Sequence, residues 1–546
     1  MENFKAALVS DFPISNVFIC LVCISVLRYM LSSARFHTTK GSHEKNQRPP
    51  LVPYAIPILG TLPFAFLWDP LRFSQTSPAF WKRQPVRLKT LFRELYIVQG
   101  AKEIHDLVRQ RSASTLFIHR LFLANVFLLP KTAERTYRKD DSGEHAKPYP
   151  GTMVQHRNRV EYHVRISQQR LLLGPGQSSL FRRFYLNATK RLTTLDIGPE
   201  WSYLPDFMYI FKSALTAATV DSLAGPALLL RHPSFAQDMW AIDENVTKFI
   251  LKTPRFMNPK AHQARDRALA AVFDWHAWAR QNFTPDAVDG EGNDPFWGCR
   301  FFRERQETFS SMDGFDAVAI ASEDLSFIWS ANTNAIISSF WITLEAFRDP
   351  TLLQAIREEV RACVQTDPDS QIPFDVAKLL KQPLLQAVFA ENLRLRVHGF
   401  LIRYPELGDI HINNWTIRRN HWCIASSTPA SMDPNFWCAG ENSAYPVDRF
   451  WPGRFLKRDP DTNALNFSLG GTEGSWVPFG GGPHACPGRM FTKRQNILTL
   501  ALMVTLYDCE ILANKSDMEL QSGVYPLGTV PPQGKVPVRM RRRTAT

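Results

Sequence analysis

The chain has 546 residues, 45% hydrophobic and 21% charged, the composition of a folded body rather than of a disordered chain. Its formal net charge of +13 suits an anionic membrane surface or an acidic protein partner, and without an arginine-rich run interleaved with aromatics nucleic acid is set aside. The eight cysteines, at 20, 23, 299, 363, 423, 438, 486 and 509, lack the paired spacing of a zinc site and read as reduced thiols of a reducing compartment.

Residues 12–31, FPISNVFICLVCISVLRYML, have about the length a bilayer needs, interrupted by Asn16 and Arg28. Arg28, Arg35 and Lys40 lie in or after the run, while Glu2, Lys5 and Asp11 precede it, so the positive-inside bias puts the carboxyl side in the cytosol. The rivals are a signal peptide cleaved near Ser32, Ser33 and Ala34, and a buried helix of the fold. Prolines at 49, 50, 53 and 57 make residues 48–60 a stiff, extended spacer. The expected organisation is a membrane anchor over 1–35, a basic and proline-rich linker over 36–60, and one catalytic body over 61–546. Six N-x-S/T sequons, at Asn187, Asn245, Asn282, Asn414, Asn466 and Asn514, stay bare if that body is cytosolic.

Residues 131–152 read as a surface loop. Helical periodicity is strongest over 315–347, apolar nearly all round, which predicts a long, central, buried helix. Further helices are expected over 352–364 and 374–396. Short β-like pieces follow, with a turn at Asn413-Asn414, and the carboxyl end reads as a turn and an edge strand. The fold class is mainly α with small β sheets.

The segment 476–491, WVPFGGGPHACPGRMF, raises a specific chemical question. Its glycines let the backbone pass close to something flat and leave amide N–H groups free for the Cys486 sulfur. A helical pattern starts after Gly488, so the thiol lies before a helix N-terminus, where an anion is favoured. A pre-oriented lone thiolate suits an axial ligand of haem iron. A phosphate loop would need Gly-Lys-Ser/Thr, which is absent. A cysteine nucleophile would need a base, for which His484 is the candidate, and a buried structural thiol is the plain alternative.

Residues 479–488, in the order F-G-x-G-x-H-x-C-x-G, resemble the haem-binding loop of cytochrome P450 enzymes. Two further motifs stand in the family's order: Glu391-x-x-Arg394 within ENLRLR, and FWPGRFL, similar to the family's F-x-P-x-R-F segment and carrying Arg454. The resemblance implies the P450 fold, haem b with Cys486 as the ligand to iron, and a structural triad of Glu391, Arg394 and Arg454. It also implies haem contacts from Phe479, from His484 (where the family usually has Arg on a propionate) and from Arg403. The family's W-x-x-x-R contact has no clear counterpart; residues 156–165, HRNRVEYHVR, are the one candidate stretch. The sequence looks most like the branch of sterol 7α-hydroxylases and prostacyclin synthase, and like fungal enzymes of specialised metabolism.

In the central helix the family's acid–threonine pair falls on Asn332 and Thr333 or, with the frame shifted by one, Asn332 stands for the threonine; in either frame Asn cannot readily shuttle a proton. Two enzymes therefore stay open. One is a monooxygenase fed by NADPH through cytochrome P450 reductase, with Lys493 and Arg494 on the docking face. The other is a reductase-independent isomerase or dehydratase. A haem or lipid carrier is the third possibility, disfavoured because it needs no thiolate. The implied substrate is lipophilic, a terpenoid, steroid, polyketide or alkaloid, walled by Phe327, Ile328, Ala331 and residues 397–401. The implied location is the endoplasmic reticulum membrane, single-pass, with a cytosolic catalytic domain.

Overall fold

The computed structural model describes residues 14–38, 47–54, 84–89, 94–110, 113–174, 176–365, 373–523 and 527–544. The first thirteen residues of the expected anchor, most of the linker (39–46 and 55–60) and the first stretch of the body (61–83) lie outside the described residues.

The apolar run forms one helix, Ile14–Thr38, 25 residues long, about 37 Å at 1.5 Å per residue. Among the described residues it is the one helix long and apolar enough to cross a membrane, by length and composition. The arginine that interrupts it is held: the Arg28 guanidinium donates to the Tyr54 hydroxyl, and the Tyr54 N–H donates to Ser32 Oγ at 3.2 Å.

The described residues fall into two compact units: residues 1–115, 399–431 and 472–484, and residues 116–398, 432–471 and 485–546. The smaller unit is built on a sheet. Strands β1 (Val86–Lys89) and β2 (Glu94–Val98) pair antiparallel. After β3 (Ala113–Ser114) come β4 (Val397–Pro405, from Gly399 in this unit), the hairpin β5 (Ile410–Ile412) and β6 (Trp415–Ile417), and β7 (Trp422–Ser426). β7 lies parallel to β2 and antiparallel to β4, and β3 pairs with the end of β4. Asn413, at φ 52°, turns the hairpin as the Asn-Asn pair predicts. The helix Ala101–Arg109 buries Ile104, Leu107 and Val108 against Tyr96, Ile412 and Cys423.

The larger unit is helical around one long helix, Ala317–Arg348, started by the Asp316 side chain accepting from the Ala319 N–H at 2.8 Å. From Ala335 to Phe347 it is buried on every face, and small polar groups fasten it to two neighbouring helices, Pro383–Arg396 and Arg489–Leu506. Asn496 Nδ2 donates to the Ala335 carbonyl and to Ser339 Oγ, each at 2.9 Å, and Asn392 Nδ2 donates to Ser338 Oγ at 2.9 Å.

Three expectations need correcting. The helix expected over 374–396 is two, Val376–Leu379 and Pro383–Arg396, because Pro383 cannot continue a helix but can start one. Residues 131–152 are not all loop: Lys131–Lys139 is a helix burying Ala133 and Tyr137. The loop beyond it is tied down by buried Arg159, which donates to Ser142 Oγ at 3.1 Å, to the Ala146 carbonyl at 3.0 Å and to the His145 carbonyl. The last strand, Val538–Arg542, is not an edge but the middle of three, between Tyr507–Ile511 and Ser202–Leu204. Arg539 and Arg541 are neutralised by Glu510 and Asp508 and lie over the Trp201 ring.

Candidate active site

In the larger unit, Cys486 lies just before the helix Arg489–Leu506, whose N-cap is Gly488. A Cβ on Gly488 would stand 3.8 Å from the Cys486 sulfur. The thiol is deep yet not packed: its residue is exposed, while burial pushes the thiol up, opposed by the N–H groups of Gly488 and Arg489 and by the Arg489 guanidinium. Arg489 also closes the turn, Nη1 donating to the Cys486 carbonyl at 2.9 Å. Among the described residues no group of three His, Cys, Asp or Glu side chains could hold a metal ion. A single accessible sulfur cannot retain a bare ion, but it fits an iron that arrives with four donors of its own, as in haem.

The preceding part of the loop belongs to the smaller unit. Gly480 and Gly482 have φ of 68° and 60°. A Cβ on Gly482 would fall 2.1 Å from the Val108 carbonyl oxygen, and one on Gly481 would fall 2.8 Å from Val108 Cγ2. Within the protein, the close approach that these two glycines permit is to the end of the helix Ala101–Arg109. His484 Nδ1 lies 3.5 Å from Thr115 Oγ1. Phe479 is half-buried, edge-on to Trp476 at 6.5 Å between ring centres. Arg403 is buried on β4, opposite Cys423, with Nη1 donating to the Ile402 carbonyl at 3.1 Å.

Glu391, Arg394 and Arg454 come together in the larger unit. Arg394 donates through Nε to Glu391 Oε2 at 2.7 Å and through Nη2 to Oε1 at 2.9 Å, the planar fork that arginine alone offers. Arg454 Nη1 lies 3.7 Å from the same carboxylate. The further partners of the three carry no motif. The Trp451 N–H donates to Glu391 Oε1 at 3.0 Å. Arg394 and Arg454 reach the carbonyls of Val447, Tyr445 and Pro446, fastening the loop before the Pro452–Phe455 turn.

On the central helix, Asn332 and Thr333 are buried, Asn332 completely. Asn332 Nδ2 donates to the Ile328 carbonyl at 2.7 Å, one turn back, and its Oδ1 has no partner among the described residues. The residues on either side, Ser330 and Asn334, are exposed. Phe327 and Ile328 are buried, and Phe327 packs on Phe301 at 4.4 Å between ring centres. Further along the helix, Trp329, Thr333, Asn334 and Ile337 line a cavity of about 390 Å³ together with Asp243. Asp243 escaped the sequence reading because a lone acid at a helix end is no motif.

Lys493 and Arg494 are not free surface cations. Lys493 donates to Gln386 Oε1 at 2.6 Å, and Arg494 lies over the Phe181 ring. Within 156–165, Arg159 serves the loop described above and His163 Nε2 meets the His156 carbonyl at 2.9 Å.

The cytochrome P450 family model matches residues 297–538. The chain is 32% identical to the cytochrome P450 monooxygenase fsoE of Humicola fuscoatra, over 91% of this chain and 88% of that protein. It is 27% identical to the cytochrome P450 monooxygenase efuG of Hormonema carpetanum over 97% of each chain. It is 26% identical to cytochrome P450 7A1 of Oryctolagus cuniculus over 41% of this chain and 45% of that protein. With the lone thiol, the glycine loop and the buried Glu–Arg–Arg cluster already in place, the likeness to fsoE along nearly the whole length decides the matter: the chain belongs to the cytochrome P450 family of monooxygenases.

Proposed function

We propose that the protein hydroxylates or otherwise oxidises a lipophilic small molecule, a terpenoid, steroid, polyketide or alkaloid intermediate of specialised metabolism, with electrons from NADPH delivered by cytochrome P450 reductase. The observation that carries the reading is Cys486, deep, accessible and backed by the N–H groups of a helix start. When bound, haem b supplies activation of dioxygen for insertion of one oxygen atom into the substrate. Cys486 is the residue for its iron, and Phe479, His484 and Arg403 are assigned to its ring and propionates by the family resemblance. Glu391, Arg394 and Arg454 act structurally, holding the loop that contains Trp451. Thr333, which lines the cavity, is the hydroxyl available to position a proton-bearing water, while the Asn332 amide spends its N–H on the helix backbone.

That amide in place of an acid favours a second reading, a reductase-independent isomerase or dehydratase of the same fold. The helix Ile14–Thr38 supports an anchor in the endoplasmic reticulum membrane with the body in the cytosol. Microsomes containing the protein and a reductase, supplied with NADPH, isotopically labelled dioxygen and a lipophilic extract, separate the two. One labelled oxygen in a product formed only with NADPH establishes the monooxygenase; an unlabelled product formed without NADPH establishes the rearrangement.

A further inference from the structure

The cavity of about 390 Å³ lies wholly within the larger unit, among the helix Phe235–Asp243, the central helix and the strand Leu527–Thr529 with the residues after it. Its size falls in the range that encloses a small organic ligand. One part of its wall is apolar, from Ile337, Leu527, Val530 and Pro531; another is polar, from Asp243, Thr247, Thr333 and Gln521.

Asp243 is the unbalanced group of that wall. Its Oδ1 accepts from the Trp329 indole N–H at 3.1 Å. Among the described residues it has no other side-chain hydrogen bond and no ion pair. Lys212, on the same wall, gives its ammonium to Glu244 at 2.9 Å. A carboxylate offers about four acceptor positions, so most of the capacity of Asp243 is left to the cavity. Burial pushes its carboxyl up to about 6, with Lys212 and the Trp329 N–H opposing and Glu244 adding to the rise. A desolvated acceptor left partly unfilled is costly, and a ligand that donates to it recovers that cost.

We propose that this cavity is a recognition subsite of the substrate, in which Asp243 accepts a hydrogen bond from a hydroxyl that the lipophilic substrate already carries. The proposal rests on the reading of the chain as a monooxygenase of lipophilic molecules and narrows that substrate class. A hydroxyl suits the group better than an ammonium does. It donates to the carboxylate and accepts from the carboxylic acid, so it satisfies Asp243 on both sides of its titration, and it meets no repulsion from Lys212. A reaction that installs a hydroxyl, either an earlier oxygenation or a cyclisation ended by water, therefore precedes this one.

The test uses the full-length holoprotein and a panel of terpenoid and steroid alcohols, each paired with its O-methyl ether and its amine analogue, with affinity read by equilibrium dialysis. At least one alcohol binds about tenfold tighter than its ether. That preference disappears in Asp243→Leu and survives in part in Asp243→Asn, whose amide oxygen still accepts. Cooperative melting at or above the wild-type temperature shows that both variants are folded. Equal binding of alcohol and ether throughout, no binding by any alcohol, or a preference that persists in Asp243→Leu overturns the subsite. Amines binding tenfold tighter than alcohols overturn the hydroxyl assignment. The ferrous–CO spectrum of the same preparations reports the haem-thiolate reading separately, so failure of that reading and failure of the subsite are told apart.

Discussion

Replacing Glu391 by leucine removes the anion that two buried guanidinium groups share. The carboxylate takes Arg394 at 2.7 and 2.9 Å and the Trp451 N–H at 3.0 Å, with Arg454 at 3.7 Å. The side chains of Glu391, Arg394 and Arg454 are 0%, 0% and 1% exposed. Burial is the largest influence on both Glu391 and Arg454: it raises the carboxyl and lowers the guanidinium, in each case against the attraction of the partner. Desolvation therefore exceeds Coulombic gain for these members. Such a cluster adds little over well-packed apolar side chains, but losing one member strands the others as buried charges. Glu391→Leu should then cost about 3–5 kcal/mol. The triple variant Glu391→Leu, Arg394→Met, Arg454→Met should cost less than the three single changes added together, by about 2–3 kcal/mol or more. Arg394→Lys loses the fork and should fall between wild type and Glu391→Leu. The assay is urea unfolding followed by far-ultraviolet circular dichroism. A Glu391→Leu protein within about 1 kcal/mol of wild type, or a triple variant equal to the sum of its singles, refutes the reasoning.

Asp243, whose carboxyl is pushed up from 3.8 to about 6 in the folded protein, binds its proton more tightly folded than unfolded. Wild type thus loses stability as pH rises between those values. Asp243→Asn should melt higher than wild type at pH 7.5, by about 2–3 kcal/mol of stability, with no gain near pH 4; an equal gain at both pH values contradicts this. Cys486→Ser should abolish the thiolate-type Soret band of the ferrous–CO complex while leaving the circular dichroism unchanged, and persistence of the band removes Cys486 as the ligand. Gly482→Ala, at φ 60° with 2.1 Å to the Val108 carbonyl, should be far more damaging than Gly471→Ala, at φ 87° with nothing within 4 Å. The latter should cost only about 1–2 kcal/mol of backbone strain, and equal melting temperatures for the two contradict the packing argument.

What could be read in the sequence was the chemistry that needs fixed spacing. Glu391 and Arg394 meet because i and i+3 share a helix face, and the turn at Asn413 needs a residue at ease with positive φ. The central helix was legible as an element but not in its rotation. Ser330, Asn332, Thr333 and Asn334 are all polar, so no periodicity says which of them face open space. Exposure of Ser330 and Asn334 against burial of Asn332 and Thr333 is set by tertiary packing. The loop after Lys139 looked free because its residues are charged and small. Its order comes from one arginine, Arg159, bonding to backbone carbonyls that leave no trace in composition. The break at Pro383 was written in the sequence, and the helical periodicity running through it concealed the stop.

The thiols show why burial alone does not identify a ligand. Cys299 and Cys509 are pushed up by burial to about 11 and about 12 and are packed in the core, and Cys423 is pushed up and packed on its strand. Cys486 is pushed up for the same first cause and, like Cys299, is opposed by N–H groups at a helix start, but of these four it is the exposed one. A packed thiol is satisfied by its neighbours and has nothing to bind. A thiol that is desolvated without being packed needs an occupant that is both apolar in bulk and electrophilic at one atom. Asp243 shows the same conjunction with an acceptor in place of the sulfur, deep enough to be pushed up yet lining open space. The occupant it calls for is apolar in bulk with one donor. The two side chains ask for different partners for one physical reason: the surrounding protein draws each away from bulk water without packing a contact of its own against it.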